Sequence, residues 1–231
     1  LDNTVYWLGQ DDRGDGTTWR AQGYSPQRIA THAIEQAIAQ YSRIDDAVAY
    51  TYQDVGHNCY VLSFPSGNAT WVFDVGAGEW HERGWRDPLT AEIHRHRGQV
   101  QAFFNRKQIL GDWEDGRLYA MDSSINNDDG DIILRLRSTQ AASDAQDLGV
   151  VVYGRLQVDV QAGVGNQVDP GAEPVMMMRY SDNGGRRWSN VRHAPLGRAG
   201  QYWRRCKWER CYAKGATDGR SRVWEVSWTD P

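Results

Sequence analysis

Short runs of alternating apolar and polar residues dominate the chain, and they predict strands. TVYWLG (4–9), the turn QDDRGDG (10–16) and TTWRAQGY (17–24) form the pattern of a β-hairpin. The turn contains Arg13-Gly14-Asp15, all common turn residues. β-rich runs return in AVAYTYQD (47–54), HNCYVLSF (57–64), ATWVFDV (69–75), EWHERGW (79–85), VQAFFN (100–105), KQILGDW (107–113), RLYAMD (117–122) and DIILRLRS (131–138). Branched and aromatic side chains fill them because they fit a pleated, half-buried surface. Gly, Asn, Asp and Pro punctuate the gaps. One stretch breaks the period. Ile29, Ala33, Ile34, Ala37, Ile38 and Tyr41 recur at helical spacing and predict a helix near 31–42 with a core-facing stripe. Pro26 suits a helix start, and Ser25 or Thr31 can cap it.

Residues 138–148, STQAASDAQDL, are polar and lack aromatics, so they read as a connector. The expected organisation is a β unit over 1–137, the connector 138–148, and a second β-rich unit over 149–231. GVVVYGRLQVDV (149–160), VMMMRYS (175–181), YWRRCKWERCY (202–212) and RVWEVSW (222–228) build the second unit.

Within it, RYSDNGGRRWSN (179–190) reads Ser181-x-Asn183-x-Gly185-x-x-Trp188. This resembles the Asp-box of sialidases and other β-propellers, with Asn183 and Arg187 as departures. Looser copies occur at Gly16-Thr17-Thr18-Trp19, Asn68-Ala69-Thr70-Trp71 and Asp115-Gly116-Arg117-Leu118-Tyr119. Their aromatics are 52 and 48 residues apart, close to one four-stranded propeller blade. The physics needs no substrate. Ser181 and Asn183 bond the turn backbone, Gly185 permits positive φ, and Trp188 anchors the hairpin. The fold class expected is mainly β, propeller-like and incomplete if strands lie outside this chain, with one short helix and a C-terminal β-rich unit.

Composition and charge sharpen the picture. Eleven Trp against four Phe suit strand-rich cores and interfaces. The net charge of −4 hides a polarity. Residues 171–231 hold twelve Arg and Lys against six Asp and Glu; residues 1–170 hold fourteen against twenty-four. Such polarity suits a subunit that meets unlike neighbours. The acidic majority argues against a protein that grips DNA phosphates. No run of eighteen apolar residues predicts a membrane-spanning helix. No signal peptide is expected, and Leu1 in place of Met points to a chain processed or cut from a longer one. Cys59, Cys206 and Cys211 read as reduced thiols, with a Cys206–Cys211 hairpin disulfide as the alternative.

Candidate chemistry is sparse. A sialidase would need an arginine triad, a Tyr nucleophile with its Glu, and an Asp acid, and the usual Arg-Ile-Pro start is absent. His94-x-His96 offers metal ligands, with only Glu92 as an obvious third. With Arg95 and Arg97 the alternation is better read as a polar face at a subunit contact. Asn126–Asp131 is similar to a calcium loop but lacks the downstream Glu, so a polar hairpin turn is preferred. No phosphate loop or nucleophile elbow appears. The expectation is a non-enzyme with no catalytic residues, no cofactor and no metal. Arg204, Arg205, Lys207 and Arg210 mark a second candidate interface. Exposed Trp among Trp203, Trp208, Trp224 and Trp228 would favour the alternative, a carbohydrate- or receptor-binding β module. A sialidase-like glycoside hydrolase ranks below both.

Several runs in order narrow the choice: Pro26–Glu35 (PQRIATHAIE), Ala49–Gln53 (AYTYQ), Tyr60–Pro65 (YVLSFP), Trp80–Arg83 (WHER), Arg95–Gly98 (RHRG), Gly163–Gly165 (GVG), Met178–Gly185 (MRYSDNGG) and Val223–Ser227 (VWEVS). Together they resemble the tail hub proteins of short-tailed bacteriophages, also called packaged-DNA stabilisation proteins. The resemblance implies a propeller-like subunit of a hexameric ring in the virion tail, assembled in the host cytoplasm. Such a ring extends the portal and its adaptor, retains packaged double-stranded DNA, conducts it on ejection and carries tail fibres or spikes. Its implied partners are other tail and portal-adaptor proteins, further copies of itself and, transiently, the DNA.

Overall fold

A computed structural model describes residues 1, 3–10, 12, 16–122, 125–143, 151–168, 171–212 and 221–229. The Arg13–Asp15 tripeptide and the connector's residues 144–148 lie outside the described residues. The chain divides into two compact units, Leu1–Asp131 and Ile132–Pro231.

Unit 1 opens with an antiparallel sheet of β1 (Tyr6–Gln10), β2 (Gly16–Gln22) and β3 (Ser25–Arg28). The helix expected near 31–42 is present but shorter, and Pro26 lies in a strand rather than at a helix start. Pro26 pairs with Ala21 on an edge strand, where a missing N–H does no harm. Helix α1 is only His32–Ile38, capped by Thr31, whose side chain accepts from the Ile34 amide at 3.4 Å. It closes early because Gln40 and Tyr41 turn back to the carbonyls of Ala37 and Ile38 in tight i→i+3 bonds.

A four-stranded meander follows: β4 (Val48–Asp54), β5 (His57–Phe64), β6 (Ala69–Asp74) and β7 (Glu79–Glu82). Next come the hairpin β8 (Gly84–Arg86) and β9 (Ile93–Arg95), then the meander β10 (Gly98–Phe104), β11 (Lys107–Asp112) and β12 (Leu118–Met121). The short hairpin β13 (Asn127–Asp128) and β14 (Asp131–Ile132) ends the unit; Gly130 takes φ +91° and donates to the Asn127 side chain.

Strand β5 shows how the unit holds together. Cys59 to Phe64 are all buried, because both faces of the strand are covered. Tyr60, Leu62 and Phe64 pack with Phe73, Ile34 and Ile38, flanked by Tyr6 and Leu8 of β1. Cys59 and Val61 point the other way, to Tyr50, Tyr52, Val72, Leu110 and Met121. The central meander is thus sandwiched between β1–β3 with α1 on one side and β10–β12 on the other. Successive antiparallel meanders stacked face to face are the build of a propeller. Among the described residues the sheets do not close into a ring, which is consistent with an incomplete propeller.

Unit 2 is a five-stranded sheet and a two-stranded one. β15 (Arg135–Ser138), β16 (Ala142–Ser143), β18 (Val175–Ser181), β19 (Arg192–Pro195) and β21 (Ser221–Trp228) form the first; both β15 and β16 pair with β21, in the order β15-β21-β18-β19. β17 (Arg155–Val158) pairs with β20 (Cys206–Glu209). Met176, Met178, Ala194, Cys206, Trp208, Cys211 and Trp224 form the core. The run DIILRLRS, read as one strand, is split between the β13–β14 hairpin and β15. Cys59, Cys206 and Cys211 are buried free thiols.

Leu62→Ala should lower unfolding free energy by about 2–5 kcal/mol, as for large-to-small changes in a closed core. Leu89→Ala, at a side chain 93% exposed, should stay within about 0.5 kcal/mol. Urea denaturation of the two variants checks both.

Candidate interaction surface

The Asp-box hairpin sits at the end of β18. Ser181 is buried, and its Oγ accepts from the amides of Gly185 at 2.9 Å and Asn183 at 3.4 Å while donating to Asn183 Oδ1 at 2.9 Å. Asn183 Oδ1 accepts from the Arg187 amide at 2.8 Å. Gly184 and Gly185 take φ of +69° and +87°, a region that favours glycine. Trp188 is half-buried under the guanidinium of Arg179, 4.6 Å from its ring centre, and Arg179 also pairs with buried Glu225.

Sequence reasoning missed the centre of this arrangement. Asp182, the residue between the two box positions, grips Arg222 in a two-pronged pair at 2.5 and 2.8 Å. The Arg222 side chain is 1% exposed. Its third nitrogen donates to the Cys211 carbonyl, and its face lies over Tyr180 at 3.9 Å, Tyr153 at 4.9 Å and Trp224 at 5.0 Å. A buried guanidinium survives only with its donors used and its charge answered. The signal was in the strand. Arg222 shares the alternation of Trp224, Val226 and Trp228, which pack in the core.

The three looser boxes each precede or open a strand after a turn: Gly16 opens β2, Asn68 precedes β6 and Gly116 precedes β12. Asn68 has φ +48° and Gly116 φ +74°. The aromatics behind them differ in partners. Trp71 donates to Tyr41 Oη at 2.9 Å, and Tyr119 donates to Asp112 at 3.0 Å.

Residues His94 to Arg97 are drawn into unit 1. His94 Nδ1 lies 3.1 Å from the Asn68 amide. Arg95 is buried over Trp113 at 4.0 Å and donates to Gln99. Arg97 lies over Trp85 at 4.2 Å and reaches Asp112 at 3.5 Å and Glu114 at 3.3 Å. His96 donates its backbone N–H to Thr70 at 3.1 Å, and its ring accepts from the Gly98 amide at 3.1 Å. Burial, with Arg83 nearby, pushes the His96 imidazole down to about 4, so it stays neutral in the fold near pH 7.

The second group stands outward. Arg204, Arg205, Lys207 and Arg210 are all exposed, with Lys207 paired to Glu209 at 2.8 Å. Tyr202 and Trp203, beside them, are 72% and 76% exposed. Trp208 and Trp224 are core residues, and Trp228 packs against that core. The charge polarity follows the units. Unit 1 holds eleven Arg and Lys against twenty Asp and Glu, net −9; unit 2 holds fifteen against ten, net +5, and together they make the chain's −4.

Stacked meanders with turn-and-aromatic hairpins define a propeller-type β protein. Residues 1–126, nearly all of unit 1, match the family described as Phage_stabilise: Bacteriophage P22 Gp10, beta-propeller. The chain belongs to that family. It is a structural protein of the phage particle, in the packaged-DNA stabilisation class. None of the curated proteins matches it.

Asp182→Ala should destabilise unit 2 by about 3–5 kcal/mol, because it strands a buried cation. Adding Arg222→Met should recover much of that loss, as read by denaturant titration. His96 gives a pH signature. Its folded value lies below the unfolded 6.5, so its contribution is full above pH 6.5 and is lost as pH falls towards 4. Compared with His96→Gln, the native chain should lose on the order of 3 kcal/mol more over that window in unfolding measurements.

Proposed function

We propose that the chain is a subunit of a tail hub ring that extends the portal, retains packaged DNA and conducts it on ejection. The observation that carries this reading is the match of the blade-stacking unit itself to the phage stabilisation family. Opposite net charges on the two units support it, since unlike patches favour contacts between unlike surfaces of neighbouring subunits. An acidic unit 1 also suits a conduit wall. Phosphates slide past carboxylates, whereas a basic lining would hold them by counterion release. The assembly is a homo-oligomeric ring of six, built in the host cytoplasm and joined to portal-adaptor and tail proteins. The role is structural, without catalytic residues, cofactor or metal.

A second reading, a carbohydrate- or receptor-binding module, draws on the neighbouring exposed rings of Tyr202 and Trp203. Such rings stack on sugar faces as readily as they fill protein pockets.

Native mass spectrometry of the full chain, alone and with the phage's portal-adaptor ring, separates the two. The ring reading expects a closed multiple of the 26.2 kDa subunit or docking to the adaptor. A chain that stays monomeric, ignores the adaptor and binds glycans would sink the hub reading and favour the module.

A further inference from the structure

The three meanders of unit 1 follow one plan, and the first is short by a strand. The box-like turns set the alignment. Trp19 of β2, Trp71 of β6 and Tyr119 of β12 hold the same place after their turns, and they pair with Trp7 of β1, Leu62 of β5 and Leu110 of β11. β1 therefore corresponds to β5 and β11. On their far sides β5 is bonded to β4 and β11 to β10. Among the described residues β1 has no such neighbour.

The bonding groups for one are in place. The Ala21 amide donates to Val5 O at 2.9 Å, so Val5 bonds toward β2. Antiparallel bonding alternates, so Trp7 and Gly9 also face β2, and the N–H and C=O groups of Tyr6, Leu8 and Gln10 line the other edge. A groove of about 430 Å³ runs beside that edge. All of β1 lines one side; Ile44, Ala47, Ala49, Tyr60 and Leu62 line the other. Asp45 also borders it, and its charge is answered by Arg43.

The approach to β1 carries a second sign. The Thr4 amide donates to Leu1 O at 2.8 Å, and the Leu1 amino group donates to Thr4 O at 3.4 Å. This reciprocal pair closes a two-residue hairpin turn, and Asn3 has φ +56°, the sign such turns use. The β10–β11 turn is built alike: Phe104 pairs with Lys107 around Asn105 and Arg106, at φ +48° and +61°. Counted from the aligned aromatics, Leu1 matches Phe104 and Thr4 matches Lys107. Leu1 thus stands on one arm of a hairpin whose other arm is β1.

We propose that the β1 edge is a strand-acceptor site, and that its occupant is an extended segment joined to Leu1 through this turn. The Leu1–Thr4 pair sets the register. The second residue ahead of Leu1 falls opposite Tyr6 and the fourth opposite Leu8. Both share the face of Tyr6 and Leu8, which pack against the core around Tyr60 and Leu62. The other meanders place Tyr50 and Val48, or Ala102 and Val100, at these positions, so the segment is apolar at both. Main-chain bonds to the edge supply affinity, and the two side chains entering the groove supply selectivity. The site belongs to unit 1 alone and does not depend on the ring.

The test joins a copy of residues 47–51, AVAYT, directly ahead of Leu1 in the full chain. Its Tyr and Val then fall opposite Tyr6 and Leu8. A control joins APAPT, whose prolines lack the N–H groups that would bond the edge. Hydrogen exchange read by mass spectrometry over residues 5–10 compares both with the native chain. AVAYT should slow exchange of the Tyr6 and Leu8 amides on the order of tenfold, and APAPT should leave it unchanged. Equal exchange in the AVAYT and APAPT chains overturns the site. Protection of these amides in the native chain that rises with protein concentration assigns the edge to a second copy and overturns the occupant.

Discussion

A sheet with two apolar faces needs a cover on each, and unit 1 is arranged around that need. β5 carries large side chains on both sides: Tyr60, Leu62 and Phe64 on one, Cys59 and Val61 on the other. No single hairpin could shield both. The strand therefore draws in α1 and β1 from before it and β11 and β12 from after it, and the stack follows from the covering. The same rule reaches the end of the stack, where the outer face of β10–β12 keeps the apolar character of an inner one.

Unit 2 solves a different problem. Its core contains a full positive charge, and the Asp-box hairpin is shaped to meet it. Ser181 and Asn183 spend their side chains on the turn, which leaves Asp182 directed at Arg222. The aromatic rings around the guanidinium add cation–π attraction and exclude water, which strengthens the ion pair further. The box is therefore a structural clasp. Its resemblance to the sialidase motif concerns the turn, and the chemistry it performs is the neutralisation of a buried cation.

Much of the strand order was legible because period-two runs alternate with Gly, Asn and Asp turns, and each signal is local. What escaped was decided elsewhere. Pro26 suits a helix start and an edge strand equally, and the pairing of Ser25–Arg28 with β2 chose the strand. RHAP, residues 192–195, has one buried residue and no apolar run, yet it completes a sheet edge because β18 offers a free side. The two candidate interfaces looked alike as basic clusters. Arg95 and Arg97 found Trp113 and Trp85 across neighbouring turns, while Arg204 and Arg205 found solvent. No pattern within a short window distinguishes those fates, because the partners lie at distant positions in the chain.

The placement of β21 sets an order of events during synthesis. It follows every other strand of its sheet in sequence yet runs between β15 and β18, and it carries Arg222. Until residues 221–228 leave the ribosome, β15 and β16 have no strand to pair with and Asp182 has no cation. Unit 1 is built from hairpins between adjacent strands and can fold while translation continues. A nascent chain therefore completes unit 1 first and holds the sheet of unit 2 open until β21 arrives.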